Sequence, residues 1–138
     1  MKKNLLLLFL FPCILFYAPG CGGKDDPRDE YVGTYYTSGV VICSSIFGDT
    51  QTPVSGTVEV SKGSGDNELV FTDSYLPDFT ATLNGASFSV SNLPTGVGTG
   101  NAGIMTVGGS FSTNTINYTQ AVSYNAGNIC TADVTGTR

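Results

Sequence analysis

The sequence predicts an all-β domain over residues 31–138, an eight-stranded antiparallel meander closed into a small barrel. Three observations carry this. From residue 31 onward no stretch repeats its apolar residues every 3.6 positions, whereas period-two runs recur between clusters of Gly, Asn, Asp and Pro. Eight such runs follow one another at hairpin spacing, the pattern of a sandwich or barrel. Finally, Cys43 ends the first run and Cys130 begins the last. In a closed meander with an even number of strands, the first and last are antiparallel neighbours. Those two ends then meet within the ~4.4–6.8 Å Cα separation of a disulfide, and closure removes the exposed edges. A two-sheet β-sandwich stapled by the same bridge is the alternative.

Taken in order, residues 31–43 are rich in Tyr and Val, with a bend at Ser38-Gly39. Residues 54–61 place Val58 and Val60 on one face, with Thr57 and Glu59 on the other. A turn over 62–67 with two glycines leads into 68–73, and 78–83 aligns Phe79, Ala81 and Leu83. Asn84-Gly85 predicts a two-residue type I′ hairpin, because that turn needs positive φ at both central positions. Residues 86–91 follow with Phe88 and Val90 inward. The strand over 102–111 pairs across Thr113-Asn114 with the clearest alternation in the chain: Ile116, Tyr118, Gln120, Val122 and Tyr124. Residues 128–137 close the sheet.

Ahead of this domain, Met1, Lys2 and Lys3 precede fourteen uncharged residues, 5–18. As a helix these span about 21 Å, short of the ~30 Å bilayer core, and Pro12 interrupts them. A basic start followed by a short apolar stretch is the pattern of a secretory signal, assigned to residues 1–20. In Ala18-Pro19-Gly20-Cys21 a small residue directly precedes a cysteine, which resembles the lipobox of bacterial lipoproteins, with Ala18 and Pro19 departing from its usual residues. The resemblance implies cleavage before Cys21 and acylation of that residue, and two or more chains anchor a protein stably to a membrane. Gly22-Gly23-Lys24-Asp25-Asp26 resembles the export signal of Bacteroidetes surface lipoproteins, which implies display on the outside of the outer membrane. Residues 21–30, with two glycines and six charges, are expected to form a flexible tether.

Removing the leader and acylating Cys21 leaves Cys43 and Cys130, which in an exported chain predict one disulfide. Closing a loop of nearly ninety residues, that bridge contributes roughly 4 kcal/mol in the chain-entropy model. Gly33-Thr34-Tyr35 resembles the Gly-x-Trp opening of lipocalin- and avidin-type barrels, with Tyr in place of Trp, and so implies a calycin-like barrel. Residues 31–138 as a whole are similar to small lipoprotein domains of gut Bacteroidetes. The shared features are the early Gly-Thr-Tyr, the Lys-Gly-Ser-Gly-Asp-Asn turn at 62–67, the Asn-Gly hairpin and a Cys near each end. That likeness implies fold and location and brings no chemistry with it.

Composition excludes several functions. Six basic residues against 11 acidic ones cannot neutralise a run of phosphates, so no nucleic-acid partner is expected. With no His, zinc lacks ligands and Ser44-Ser45 lacks a triad base, so no cofactor, metal or catalytic residue is assigned. Asp66-Asn67-Glu68 lacks the spacing of a calcium loop, and the Gly-rich segment 95–103 lacks the Lys and following helix of a phosphate loop. The acidic residues read as solvated surface groups, and a hydrolase using Asp133 is the least favoured reading. What remains is a non-catalytic binding role for a small hydrophobic ligand, a glycan or a protein partner at the cell surface. The rings of Tyr35, Phe47, Tyr75, Tyr118 and Tyr124 are the candidate contacts. The competing expectation is a structural accessory subunit with a filled interior. A cavity above ~300 Å³ separates the two.

Overall fold

The computed structural model describes residues 25–96, 102–124 and 127–138. The leader 1–20, Cys21 and most of the 95–103 segment lie outside the described residues.

Eight antiparallel strands form one closed meander barrel in sequence order. They are β1 (Gly33–Ser45), β2 (Gly48–Lys62), β3 (Glu68–Asp73), β4 (Phe79–Asn84), β5 (Ser87–Thr95), β6 (Gly103–Ser112), β7 (Thr115–Tyr124) and β8 (Ile129–Thr137). β1 pairs with β8 from Tyr36↔Thr137 to Ser44↔Ile129, which closes the ring and rules out the sandwich. Cys43 and Cys130 face each other in that ladder with Cα atoms 4.0 Å apart, and they are joined as a disulfide. Closure here depends on Gly39. A Cβ at that position would sit 2.2 Å from the Asp133 carbonyl oxygen, so only glycine lets β8 cross β1 this closely.

Two elements differ from the sequence expectation. β2 begins at Gly48, six residues before the expected Val54, and the β1–β2 hairpin turns at Ile46-Phe47. That tip has apolar rather than turn-forming residues. The added stretch, which includes Pro53, lies where β2 has no β3 partner, since β2 and β3 pair only from Val58↔Asp73 to Lys62↔Leu69. The β4–β5 hairpin turns at Gly85-Ala86, between paired Asn84 and Ser87. Gly85 alone has positive φ (60°), the pattern of type II′ rather than I′.

The barrel has two unlike ends. Where β1 starts, the turns after β2, β4 and β6 meet the chain's first described segment. Residues expected to be tether are docked here: Pro27–Glu30 forms a 3-10 turn, capped by Asp26, whose carboxylate accepts from the Arg28 backbone N–H. The Arg28 guanidinium bonds that carboxylate and donates to the carbonyls of Gly63 and Gly65. Lys62 Nζ reaches Asp26 at 3.0 Å and Asp29 at 2.6 Å. Side-chain and backbone hydrogen bonds from Arg28 hold the Asp26 carboxyl well below the usual carboxylate range. Tyr31 stacks on Phe111 with ring centroids 4.6 Å apart. Arg138 lies over the Tyr35 ring and donates to Glu30 O and Val32 O, sealing this end.

Above the seal the inward positions fill the barrel. Phe71 stacks on Phe79 at 4.4 Å and packs on Phe88 at 4.7 Å, and Phe88 meets Phe111 at 5.1 Å. Val58, Val60, Leu69, Met105 and Ile116 complete the buried core around these rings.

Candidate open-end pocket

The opposite end carries the β1–β2 tip, the β3–β4 loop and the starts of β6 and β8. Between the disulfide and the β3–β4 loop lies a cavity of about 210 Å³. Val41 and Cys43 come from β1, Gln120, Val122 and Tyr124 from β7, and Cys130 and Ala132 from β8, with Tyr75, Leu76 and Pro77 from the loop. Period-two alternation on three adjacent strands turns these side chains to the same interior.

The loop is held by one carboxylate. Asp73 ends β3, and its Oδ1 accepts from the backbone N–H groups of Tyr75 (2.8 Å) and Leu76 (3.0 Å). Its Oδ2 accepts from the Tyr118 hydroxyl, which reaches it from β7 across the barrel. Burial, together with the proton held against Asp73, pushes the Tyr118 phenol well above its ordinary range. Asp78 Oδ1 in turn accepts from the Asp73 N–H. The two open-end acids of this loop therefore position backbone.

Gln120 is 2% exposed and is the buried polar residue of the core among the described residues. Its Nε2 donates to Met105 Sδ at 2.8 Å, and its Oε1 has no hydrogen-bond partner. A thioether is a weak acceptor, and a buried amide oxygen left unpaired costs about 1–3 kcal/mol.

The five rings singled out from the sequence do not form one site. Tyr75, 57% exposed, and the half-buried Tyr124 come together at the cavity. Tyr118 is buried below it as the support of Asp73. Tyr35 is 1% exposed at the sealed end, its hydroxyl donating to Tyr31 O at 2.9 Å, and so is no part of an open mouth. Phe47 stands 94% exposed at the hairpin tip, away from the cavity lining. Gln120 was missed as a site residue, although its place between Tyr118 and Val122 in the inward stripe marks it as a carboxamide pointed indoors.

A broader depression of about 720 Å³ lies on the outer face of β6, β7, β8 and β1. Its polar side chains bond one another: Thr119 Oγ1 donates to Asp133 Oδ1 at 2.7 Å and Thr135 Oγ1 to Asn117 Oδ1 at 2.9 Å. Asp133 thus points outward. Among the described residues no three His, Cys, Asp or Glu side chains converge on a metal position, and no helix is long and apolar enough to cross a membrane.

Fold and pocket define a class: a small closed β-barrel, sealed at one end, with a single-ring-sized cavity at the other. Neither the family models nor the curated proteins compared with the chain give a match.

Proposed function

We propose that this chain is a lipid-anchored surface protein of a bacterial outer membrane, tethered through Cys21, with a non-catalytic binding role carried by the open end of its barrel. The observation that carries the reading is the asymmetry of the two ends. The chain enters at the sealed end, and Arg28, Lys62 and Arg138, the basic residues among those described, all lie there. The open end carries exposed Ile46, Phe47, Ile104 and Ile129, and exposed Tyr75 at the cavity itself. A tether at one pole presents the other pole to solutes and partners, and exposed rings with a pocket suit ligand capture. The lipobox and the Lys-Asp-Asp segment after it support the location.

A second reading is favoured by the packed interior. The aromatic core fills the barrel up to Tyr118, and the remaining cavity is smaller than the ~300 Å³ of an ordinary ligand site. In that reading the apolar rim docks a partner subunit and the cavity is incidental. Mass spectrometry of the protein extracted from native membranes tests both. Acyl mass on Cys21 with a co-purifying small molecule is the expected result. An acyl-bearing protein that brings only a protein partner supports the accessory reading, and a freely diffusing, acyl-less chain overturns the location.

A further inference from the structure

We propose that the open-end cavity takes a single small apolar ring bearing a hydroxyl, and that the Gln120 carboxamide is the group that anchors the hydroxyl. This rests on the reading of the open end as a binding end.

Three observations converge. Gln120 lines the cavity, lies almost wholly out of solvent and has an oxygen with no partner. Its inward neighbours on β7 are Tyr118, Val122 and Tyr124, so a Leu or Met of similar size fits the pattern of the stripe without stranding an amide. Its side-chain hydrogen-bond partner among the described residues, the Met105 thioether, is too weak an acceptor to explain a carboxamide there. A ligand hydroxyl both donates and accepts, so it satisfies whichever end of the amide faces it.

The walls set the rest of the ligand. Val41, Leu76, Pro77, Val122 and the Cys43–Cys130 bridge are apolar, and Tyr124 offers a ring face. An apolar cavity of about 150 Å³ holds benzene, so 210 Å³ accommodates one ring with a substituent and excludes fused ring systems and long acyl chains. Among the described residues no charged group lines the cavity, so the ligand is neutral.

Met105 supplies the probe. The sequence has two methionines, Met1 and Met105, so methyl-13C-methionine labelling gives the domain one resonance, on the residue that touches Gln120. The full-length acylated protein is titrated with phenol and, separately, with toluene. Expected is a saturable shift of the Met105 methyl with phenol. Gln120→Leu should weaken phenol about tenfold, the loss of one hydrogen bond, and leave toluene as tight or tighter. No saturable phenol shift in the wild type, or equal phenol affinity in Gln120→Leu, overturns the proposal. Failure here is distinguishable from failure of the binding reading. A native ligand or partner retained equally by wild type and Gln120→Leu keeps the open end as the binding end and removes the carboxamide anchor. Absence of any ligand or partner in native extracts, together with no phenol shift, removes both.

Discussion

Asp73 and Tyr118 show how much of the open end rests on one side-chain contact. Among the described residues the Tyr118 hydroxyl is the one side-chain donor to a carboxylate oxygen whose partner oxygen holds the β3–β4 loop. Tyr118→Phe is expected to cost about 2 kcal/mol, the range for a hydrogen bond to a charged group, read from the urea midpoint. The same variant should change the alkaline limb. A phenol whose folded pKa is raised stabilises the fold fully below its ordinary value near 10, and this is lost as pH climbs above it, because the unfolded chain gives up the proton first. Wild type should therefore lose stability above about pH 10 more steeply than Tyr118→Phe. At Gln120 the sign is reversed. Gln120→Met, close in volume and free of an unpaired amide oxygen, should gain about 1 kcal/mol in the same assay. The inward placement of both residues was legible from the 116–124 alternation. Their partners were not, because Asp73 and Met105 meet them only once the sheet has curled.

The strands show which local signals were enough. Alternation located all eight, and the even count with a cysteine at each end pointed to closure, because both are properties of adjacent residues and of parity. Hairpin tips were harder. Ile46-Phe47 has no turn chemistry to read, so the expected strand starts at Val54 rather than Gly48, and Pro53 in the added stretch sits where β2 has no β3 partner to supply. The β6–β7 turn contains a conflict the sequence does not display: Thr113, a β-branched residue, has φ of 42°. Left-handed backbone costs such a residue about 1–2 kcal/mol, and glycine carries no such penalty. Thr113→Gly should therefore raise stability by about 1 kcal/mol, checked by thermal and urea unfolding. Thr113 is exposed, and the group Arg138 uses is its backbone carbonyl, which glycine keeps.

At the scale of the molecule, the barrel is tied twice where its ends meet. Arg138 and the Pro27–Glu30 turn seal one pole, and the Cys43–Cys130 bridge pins β1 to β8 toward the other. The bridge spans 87 residues, so replacing both cysteines by Ala should cost roughly 4 kcal/mol of the unfolding free energy, measured against the oxidised wild type. Overall shape was within reach of sequence reasoning because a lone cysteine pair on the first and last strands is a long-range constraint. The sealed pole was not, because 26–30 has the composition of a linker and docks through distant partners: Arg28 on the carbonyls of a turn 35 residues away, Lys62 on Asp26 and Asp29, and Arg138 on the Glu30 carbonyl.

That covalent hoop also bears on survival among proteases. Two exposed chymotryptic points outside the strands, Phe47 at its hairpin tip and Tyr75 in its loop, both fall between the two half-cystines. A single chymotryptic nick at either leaves two fragments still sharing one sulfur link and a largely intact hydrogen-bonded ladder. Nicked protein should run as one band on a non-reducing gel and split into two on a reducing gel, while its circular dichroism stays that of the uncut domain.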